Sequence, residues 1–288
     1  MLNHVLYQAP TGLRGDKTAD TIVFVISLVV LAGLLLWGLR KRDFRLIGLL
    51  IGAGLAGFVE AQLDLLSRIW WASDLPTAYT VFGRPIPTLV LATYSLAIGG
   101  GMYLVYRICA AGAKRTDIIR LGVVLMVAES VFEMILMTTS FYKYYGPQPL
   151  RVFGFPLYWG AINSVSMVAG GVGVYAYRER LTGRAALLTI AIPPLAFGLD
   201  FAVGWPTWDV MNTHASQLTM SLVSLSTIAL CGAELYMLSW VVERSTAQTA
   251  APIGSDDVAV RQAQPALSLG RDRVRQAGAG RDDQVAIR

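Results

Sequence analysis

Seven times between Thr21 and Val241 the chain enters an apolar stretch of about 20 residues, the length a helix needs to cross the hydrocarbon core of a bilayer. Backbone N–H and C=O groups find no partner in hydrocarbon, so stretches of this kind are helices or closed barrels. Their continuous apolarity, without strict alternation, selects helices. The stretches are Thr21–Leu39, Leu46–Leu66, Ile86–Tyr106, Ile118–Met137, Leu157–Tyr177, Ala185–Phe201 and Leu218–Val241, the sixth expected to kink at Pro193 and Pro194. The expected fold is therefore an all-α membrane protein of seven transmembrane helices, multi-pass in the cell membrane. Charged residues are 15% of the chain where a soluble domain carries about a quarter, which points the same way.

Lys and Arg in the short loops set the orientation. Eleven lie in three alternate loops: Arg40, Lys41, Arg42, Arg45; Arg107, Lys114, Arg115, Arg120; Arg178, Arg180, Arg184. Six lie singly on the other side: Arg14, Lys17, Arg68, Arg84, Lys143 and Arg151. The amino terminus is expected outside and the carboxyl terminus inside. The net charge of +5 is accounted for by this asymmetry and does not point to nucleic acid. Residues 1–20 read as an irregular extracytoplasmic segment with no cleaved leader, 21–243 as the transmembrane domain, and 244–288 as a disordered cytoplasmic tail. Cys109 and Cys231 read as small buried hydrophobes.

Carboxylates inside these stretches are the functional signal, because each costs several kcal/mol in hydrocarbon and so faces the bundle interior. Glu60 and Asp64 stand four residues apart, on one helix face; Glu129 and Glu133 repeat the spacing, and Asp200 lies in a third run. The repetition extends further. Val81-Phe82-Gly83-x-Pro85 matches Val152-Phe153-Gly154-x-Pro156, followed by Ser95 with Ser166, Gly99-Gly100 with Gly170-Gly171, and Tyr106-Arg107 with Tyr177-Arg178. The unit is an outward helix, an aromatic loop and a returning helix, present as spans 2–3 and 4–5. A looser third copy, spans 6–7, begins at Asp200 and lacks the Phe-Gly-x-Pro element. Repeats of this kind commonly enclose a site at their interface. The glycines of the returning helices read as close-packing positions.

Several carboxylates in one low-dielectric pocket cannot all ionise, and a neutral carboxylic acid there is a good general acid. The candidate catalytic residues are Glu60, Asp64, Glu129, Glu133 and Asp200. The candidate substrate-binding wall is Trp70, Trp71, Phe82, Tyr94, Phe153, Trp159, Asn163 and Trp205. A plainer alternative makes each acid an interhelical hydrogen-bond acceptor, with Arg68, Tyr94, Asn163 or Ser166 as donor. Glu234 reads as structural. No metal or cofactor is expected: His4 and His214 are the only histidines and both lie outside the spans, Glu-x-x-His pairs and aspartate-rich diphosphate clusters are absent, and the seventh span holds no Lys for a Schiff base.

Seven spans over residues 20–243 with acids in the outward-running helices resemble, in architecture, the integral-membrane terpene cyclases of fungal meroterpenoid and bacterial indole-terpenoid pathways. The resemblance implies a cofactor-independent enzyme that starts cyclisation or isomerisation of an isoprenoid from the bilayer by protonation, with Glu60, Glu129 and Asp200 as candidate acids. Two other classes stay open. A proton- or cation-coupled transporter would use the same carboxylates as ion sites between repeats, and a subunit of a membrane complex would turn its acids and aromatics toward a partner helix. The oligomeric state is not legible.

Overall fold

The structure, a computed structural model, describes residues 9–250, with side chains described to Thr246. Asp16 opens the first helix, α1 (Lys17–Lys41), by accepting from the N–H groups of Thr18 and Ala19. The helix therefore begins four residues before the expected span. It ends where Arg42 turns left-handed, and Asp43 at once caps α2 (Phe44–Ala56). Most of the large apolar side chains of α1, such as Ile22, Ile26 and Val29, remain exposed. A helix apolar all round whose neighbours leave most of its apolar side chains uncovered is one whose surroundings are themselves apolar.

The second apolar run is broken. A 3₁₀ turn at Gly57–Val59 separates α2 from α3 (Glu60–Ser67), which places Glu60 in the first turn of a new helix. Arg68, left-handed, ends α3 and begins β1 (Ile69–Trp71), followed by the hairpin β2 (Thr77–Val81) and β3 (Arg84–Pro87). The third run divides into α4 (Thr88–Tyr94), a π turn at Ser95–Gly99, and α5 (Gly100–Ala110). Next come α6 (Arg115–Leu136), a 3₁₀ turn ending at the left-handed Ser140, β4 (Tyr142–Tyr144), the two-residue strands β5 (Arg151–Val152) and β6 (Phe155–Pro156), and α7 (Tyr158–Ala176). The sixth run is a 3₁₀ segment, Gly183–Ala191, then α8 (Ile192–Met211). Pro193 and Pro194 sit in the first turn of α8, where a missing N–H costs nothing, so they start the helix instead of kinking it. The last helix is α9 (Gln217–Ala250).

The repeat is visible in backbone detail. Phe82-Gly83 and Phe153-Gly154 all have positive φ, at 54°, 70°, 46° and 90°, the signature of a type I′ hairpin turn. The expected aromatic loops are thus short β-hairpins. The strands that precede them, β1 and β4, pair with each other antiparallel, Ile69 opposite Tyr144 and Trp71 opposite Tyr142. Antiparallel pairing of two corresponding strands is what a two-fold relation between the units produces. The looser third copy has no hairpin: residues 212–216 alone join α8 to α9.

Packing centres on α7, whose neighbours are α5, α6 and α8. Among the described residues, six helical stretches are long and apolar enough to cross a membrane; α7, the fifth run of the sequence, is not among them. Walled off by other helices, it has no need of uniform apolarity and carries Asn163, Ser164 and Ser166. Close approach is bought by glycine at two places in particular. A Cβ on Gly52 would lie 2.9 Å from the carbonyl carbon of Ile190, and one on Gly171 would lie 2.6 Å from the Met102 carbonyl oxygen. Gly100, also expected at a contact, faces open space.

The chain divides into two units, Met1–Arg244 and Ser245–Arg288, and the helices bearing the candidate catalytic acids belong to the first. The expected tail is helical as far as Ala250, there being no proline before Pro252; its remainder, and residues 1–8 of the amino-terminal segment, lie outside the described residues.

Candidate functional site

Between the two repeat units lies a cavity of ≈ 100 Å³. Its acids come from two helices, Glu60 from α3 and Glu129 with Glu133 from α6. The i, i+4 spacing on α6 turns both glutamates to one side, where both are half-buried. Each of the three acids meets a neutral donor. The Tyr94 hydroxyl donates to Glu60, Asn163 Nδ2 donates to Glu129 Oε1 at 2.7 Å, and the Tyr142 hydroxyl donates to Glu133. Tyr94 and Asn163 each stand 34 residues after their acid, on the returning helix of the same unit. Among the described residues, no Lys or Arg lines the cavity.

The β1–β4 ladder closes one side. Strand alternation sends Ile69, Trp71, Tyr142 and Tyr144 to one face, and all four line the cavity. Trp71 and Tyr142 are opposed in register with ring centroids 4.5 Å apart. Trp70 and Lys143 face the other way, and the Arg84 guanidinium lies 5.4 Å from the Trp70 ring. Trp70, expected on the cavity wall with its neighbour, is excluded by that alternation. Burial pushes the Tyr142 and Tyr144 hydroxyls well above the ordinary tyrosine range, and the nearby Glu133 charge adds to it, so both remain proton donors.

Asp64 lies one turn beyond Glu60, fully buried behind the cavity, close to the Glu60 carboxyl and within the field of the Arg84 guanidinium. Arg84, counted from sequence only as an isolated loop charge, is buried; it donates to the Ile69 carbonyl and to the Tyr145 hydroxyl at 2.8 Å. Asp200 does not reach the cavity. It accepts from Ser166, one turn along α7 from Asn163, and the charge of Glu234 acts on it. Both Asp200 and Ser166 are about 1% exposed.

Of the expected wall, Trp71, Tyr94, Trp159 and Asn163 line the cavity. Phe82 and Phe153 do not: as first central residues of the hairpin turns they project from the tips, 64% and 84% exposed. Trp205 is 54% exposed on α8, and Trp208, three residues on, is the fully buried one, its ring 5.5 Å from Trp159. Phe132, Phe141, Tyr142 and Tyr144 complete the aromatic lining; strand alternation after Ser140 is the signal that selects the two tyrosines. Phe132 is also 44% exposed, so the cavity wall reaches the outer surface of α6 there.

No family model, no curated protein and no solved structure matches this chain.

Among the described residues, no group of three or more His, Cys, Asp or Glu is disposed to hold a metal ion. The cavity combines carboxyl oxygens, neutral donors and aromatic faces. Chemically it can protonate a weak base, accept a proton back, and stabilise positive charge between the two events.

Proposed function

We propose that the protein is an integral-membrane enzyme of the cell membrane, with seven spans, the amino terminus outside and the carboxyl terminus inside, that protonates a hydrophobic isoprenoid substrate and lets it cyclise or isomerise without a cofactor. A carboxyl O–H gives its proton to an alkene or epoxide; the cation formed rests over aromatic faces; a neighbouring carboxylate removes a proton at the end. The observation that carries this reading is the cavity's lining. Three carboxyls converge with Trp71, Tyr142, Tyr144 and Trp159 and, among the described residues, with no basic side chain, an environment that favours positive charge. The exposed edge of Phe132 gives an approach from the lipid side of α6. The volume suits the reacting end of a chain, since whole drug-sized ligands occupy about 300–1,000 Å³. The resemblance to the integral-membrane terpene cyclases agrees with this chemistry.

The gathering of the basic loops supports the topology. Arg45 donates to the Arg178 carbonyl, and Thr189 to the Arg45 carbonyl, at one end of the helices. The other end ties together Gly15 with Asp74, Asn212 with Leu66, and Gln217 with Gln148.

The test is membranes containing the protein, incubated with linear prenyl alkenes and their terminal epoxides, and analysed for cyclised or isomerised product. Glu60→Gln, Glu129→Gln and Glu133→Gln remove the acid but keep its size. At least one of them should lower turnover by about 10²–10⁴-fold, the usual contribution of a positioned acid. Asp200→Asn, outside the cavity, should lower it far less. Turnover unchanged in all three cavity variants refutes the reading.

One observation favours proton-coupled transport instead. Asn163 and Ser166 lie three residues apart on α7 and bond to Glu129 and Asp200, so acids in two places share one helix. Proton uptake into vesicles that depends on Asp200 and Glu234, with no product from any prenyl substrate, selects that reading.

A further inference from the structure

At the opposite end of the helices from the β-strands lies a second cavity, of ≈ 490 Å³. Three separate segments build it: Trp37 and Lys41–Arg45 around the α1–α2 turn, Arg107 near the end of α5, and Leu181–Gly183 with Ala186 after α7. Four of its lining residues are cations, Lys41, Arg42, Arg45 and Arg107, against a single carboxylate, Asp43. That carboxylate is already engaged: the Tyr103 hydroxyl donates to it at 2.5 Å and the Leu46 N–H at 3.3 Å. Among the described residues none of the four cations is in an ion pair.

The two arginines are held in place by uncharged partners. Arg45 donates through Nη2 to the Arg178 carbonyl at 2.8 Å and lies 5.4 Å from the Tyr106 ring, while its buried Nε has no hydrogen-bond partner among the described residues. Arg107 Nη1 donates to the Tyr103 hydroxyl at 3.0 Å. Guanidiniums positioned by neutral groups keep their charge for something else, and a buried N–H without a partner marks the place where an acceptor is wanted. The rest of the lining is apolar: Trp37 is 40% exposed, Phe44 is half-buried and Leu181 is buried. An excess of positive charge beside an apolar wall, at the end of a lipid-facing helix, matches a phosphate group carried on an acyl chain. A tryptophan at that level is at home among headgroups.

We propose that this cavity is a binding site for a phosphate group, with an anionic phospholipid headgroup as its occupant. The site is independent of the carboxylate cavity, which lies at the other end of the same helices. It differs from a general attraction of basic loops to an anionic surface in being a formed cavity with its cations contributed by two helix ends.

The experiment uses the full chain purified in a neutral detergent. Phosphatidylglycerol, phosphatidylcholine with the same acyl chains, and inorganic phosphate are titrated separately; native mass spectrometry counts retained lipid, and thermal unfolding reads stabilisation. Phosphatidylglycerol should be retained with saturable one-site behaviour and phosphatidylcholine should not. Lys41→Gln with Arg42→Gln, both exposed, should weaken retention about 30-fold, which is about 1 kcal/mol for each lost charge. Arg107→Gln, on another helix, should weaken it in the same direction, so that a defect local to the α1–α2 turn is not mistaken for the site. The control is Lys114→Gln with Arg120→Gln, the same loss of charge at the start of α6, and it should leave retention unchanged. Stabilisation by inorganic phosphate alone, lost in the Lys41/Arg42 variant, supports the phosphate site and assigns it to a soluble ligand. Equal retention of both lipids with no effect of phosphate, or an equal loss in the control variant, overturns the proposal.

Discussion

Tyr94→Phe is the cleanest perturbation of the carboxylate cavity, because it removes one oxygen and nothing else. The ring stays stacked on Phe197, with centroids 5.5 Å apart and planes at 27°, while Glu60 loses its donor. In water-soluble proteins a hydrogen bond contributes about 0.5–1.5 kcal/mol net, and a partner left buried and unsatisfied costs about 1–3 kcal/mol. Between membrane helices, measured couplings average about 0.6 kcal/mol and reach about 1.7. Local access to water decides where in that range each pair falls. Glu60 lines ≈ 100 Å³ of open space, several times the ~10–15 Å³ that admits one water, so water can replace the lost hydroxyl. The Tyr94–Glu60 coupling should therefore be about 0.6 kcal/mol. Ser166 and Asp200, 1% exposed and away from the cavity, have no such substitute, and their coupling should approach about 1.7 kcal/mol. Two double-mutant cycles measure this in the same detergent: Tyr94→Phe with Glu60→Met, and Ser166→Ala with Asp200→Ala. For a chain of this size each kcal/mol moves Tm by about 2–4 °C. A Tyr94–Glu60 coupling equal to or larger than that of Ser166–Asp200 refutes the account of a wet cavity beside a dry acid.

Two further outcomes test the site's roof and the helix packing. Tyr142 and Tyr144 hold their protons more tightly folded than unfolded, so the stabilisation this supplies is complete below about pH 10 and is lost as pH rises beyond it; ultraviolet titration should find both tyrosines missing from the reversible step near pH 10, and their appearance in it would contradict their burial against Glu133. Gly52→Ala and Gly100→Ala should have opposite signs: the first drives a methyl against the Ile190 backbone and should cost about 1–3 kcal/mol, while the second meets nothing within 4 Å and should gain about 0.5–1 kcal/mol in helix propensity.

Much of the site was legible because hydrocarbon penalises charge so heavily. Glu60, Glu129 and Glu133 stood out as carboxylates inside apolar runs, and Tyr94, Asn163 and Ser166 stood out as the polar residues available to them. The three donor–acid pairs Tyr94–Glu60, Asn163–Glu129 and Ser166–Asp200 are the interhelical hydrogen bonds which that reasoning offered as the plainer alternative. Acid chemistry and helix-to-helix bonding are not exclusive in this cavity, since Glu129 can face it while accepting from Asn163. Less legible was which aromatics turn inward. Trp70 and Trp71 are adjacent and chemically alike, and Phe153 and Phe155 stand two apart in a single hairpin; their fates follow from strand alternation and turn position, which an apolar-run reading treats as loop.

The sequence alone determined that the chain is helical and apolar over most of its length, that acids recur at i, i+4 in two related units, and that basic residues crowd alternate loops. These are one-dimensional consequences of bilayer thickness, backbone hydrogen bonding and helix periodicity. Tertiary structure alone decided that β1 pairs with β4 across the two units, that Glu60 and Glu133 share a cavity while Asp200 is turned to Ser166, and that Arg84 is a buried support. Those outcomes depend on which faces meet once helices pack, and a face is set by the 3₁₀ turn at Gly57, the π turn at Ser95 and the glycine contacts at Gly52 and Gly171. Each of these shifts helix rotation or separation by amounts too small to leave a mark in hydropathy, yet large enough to choose which carboxylates meet.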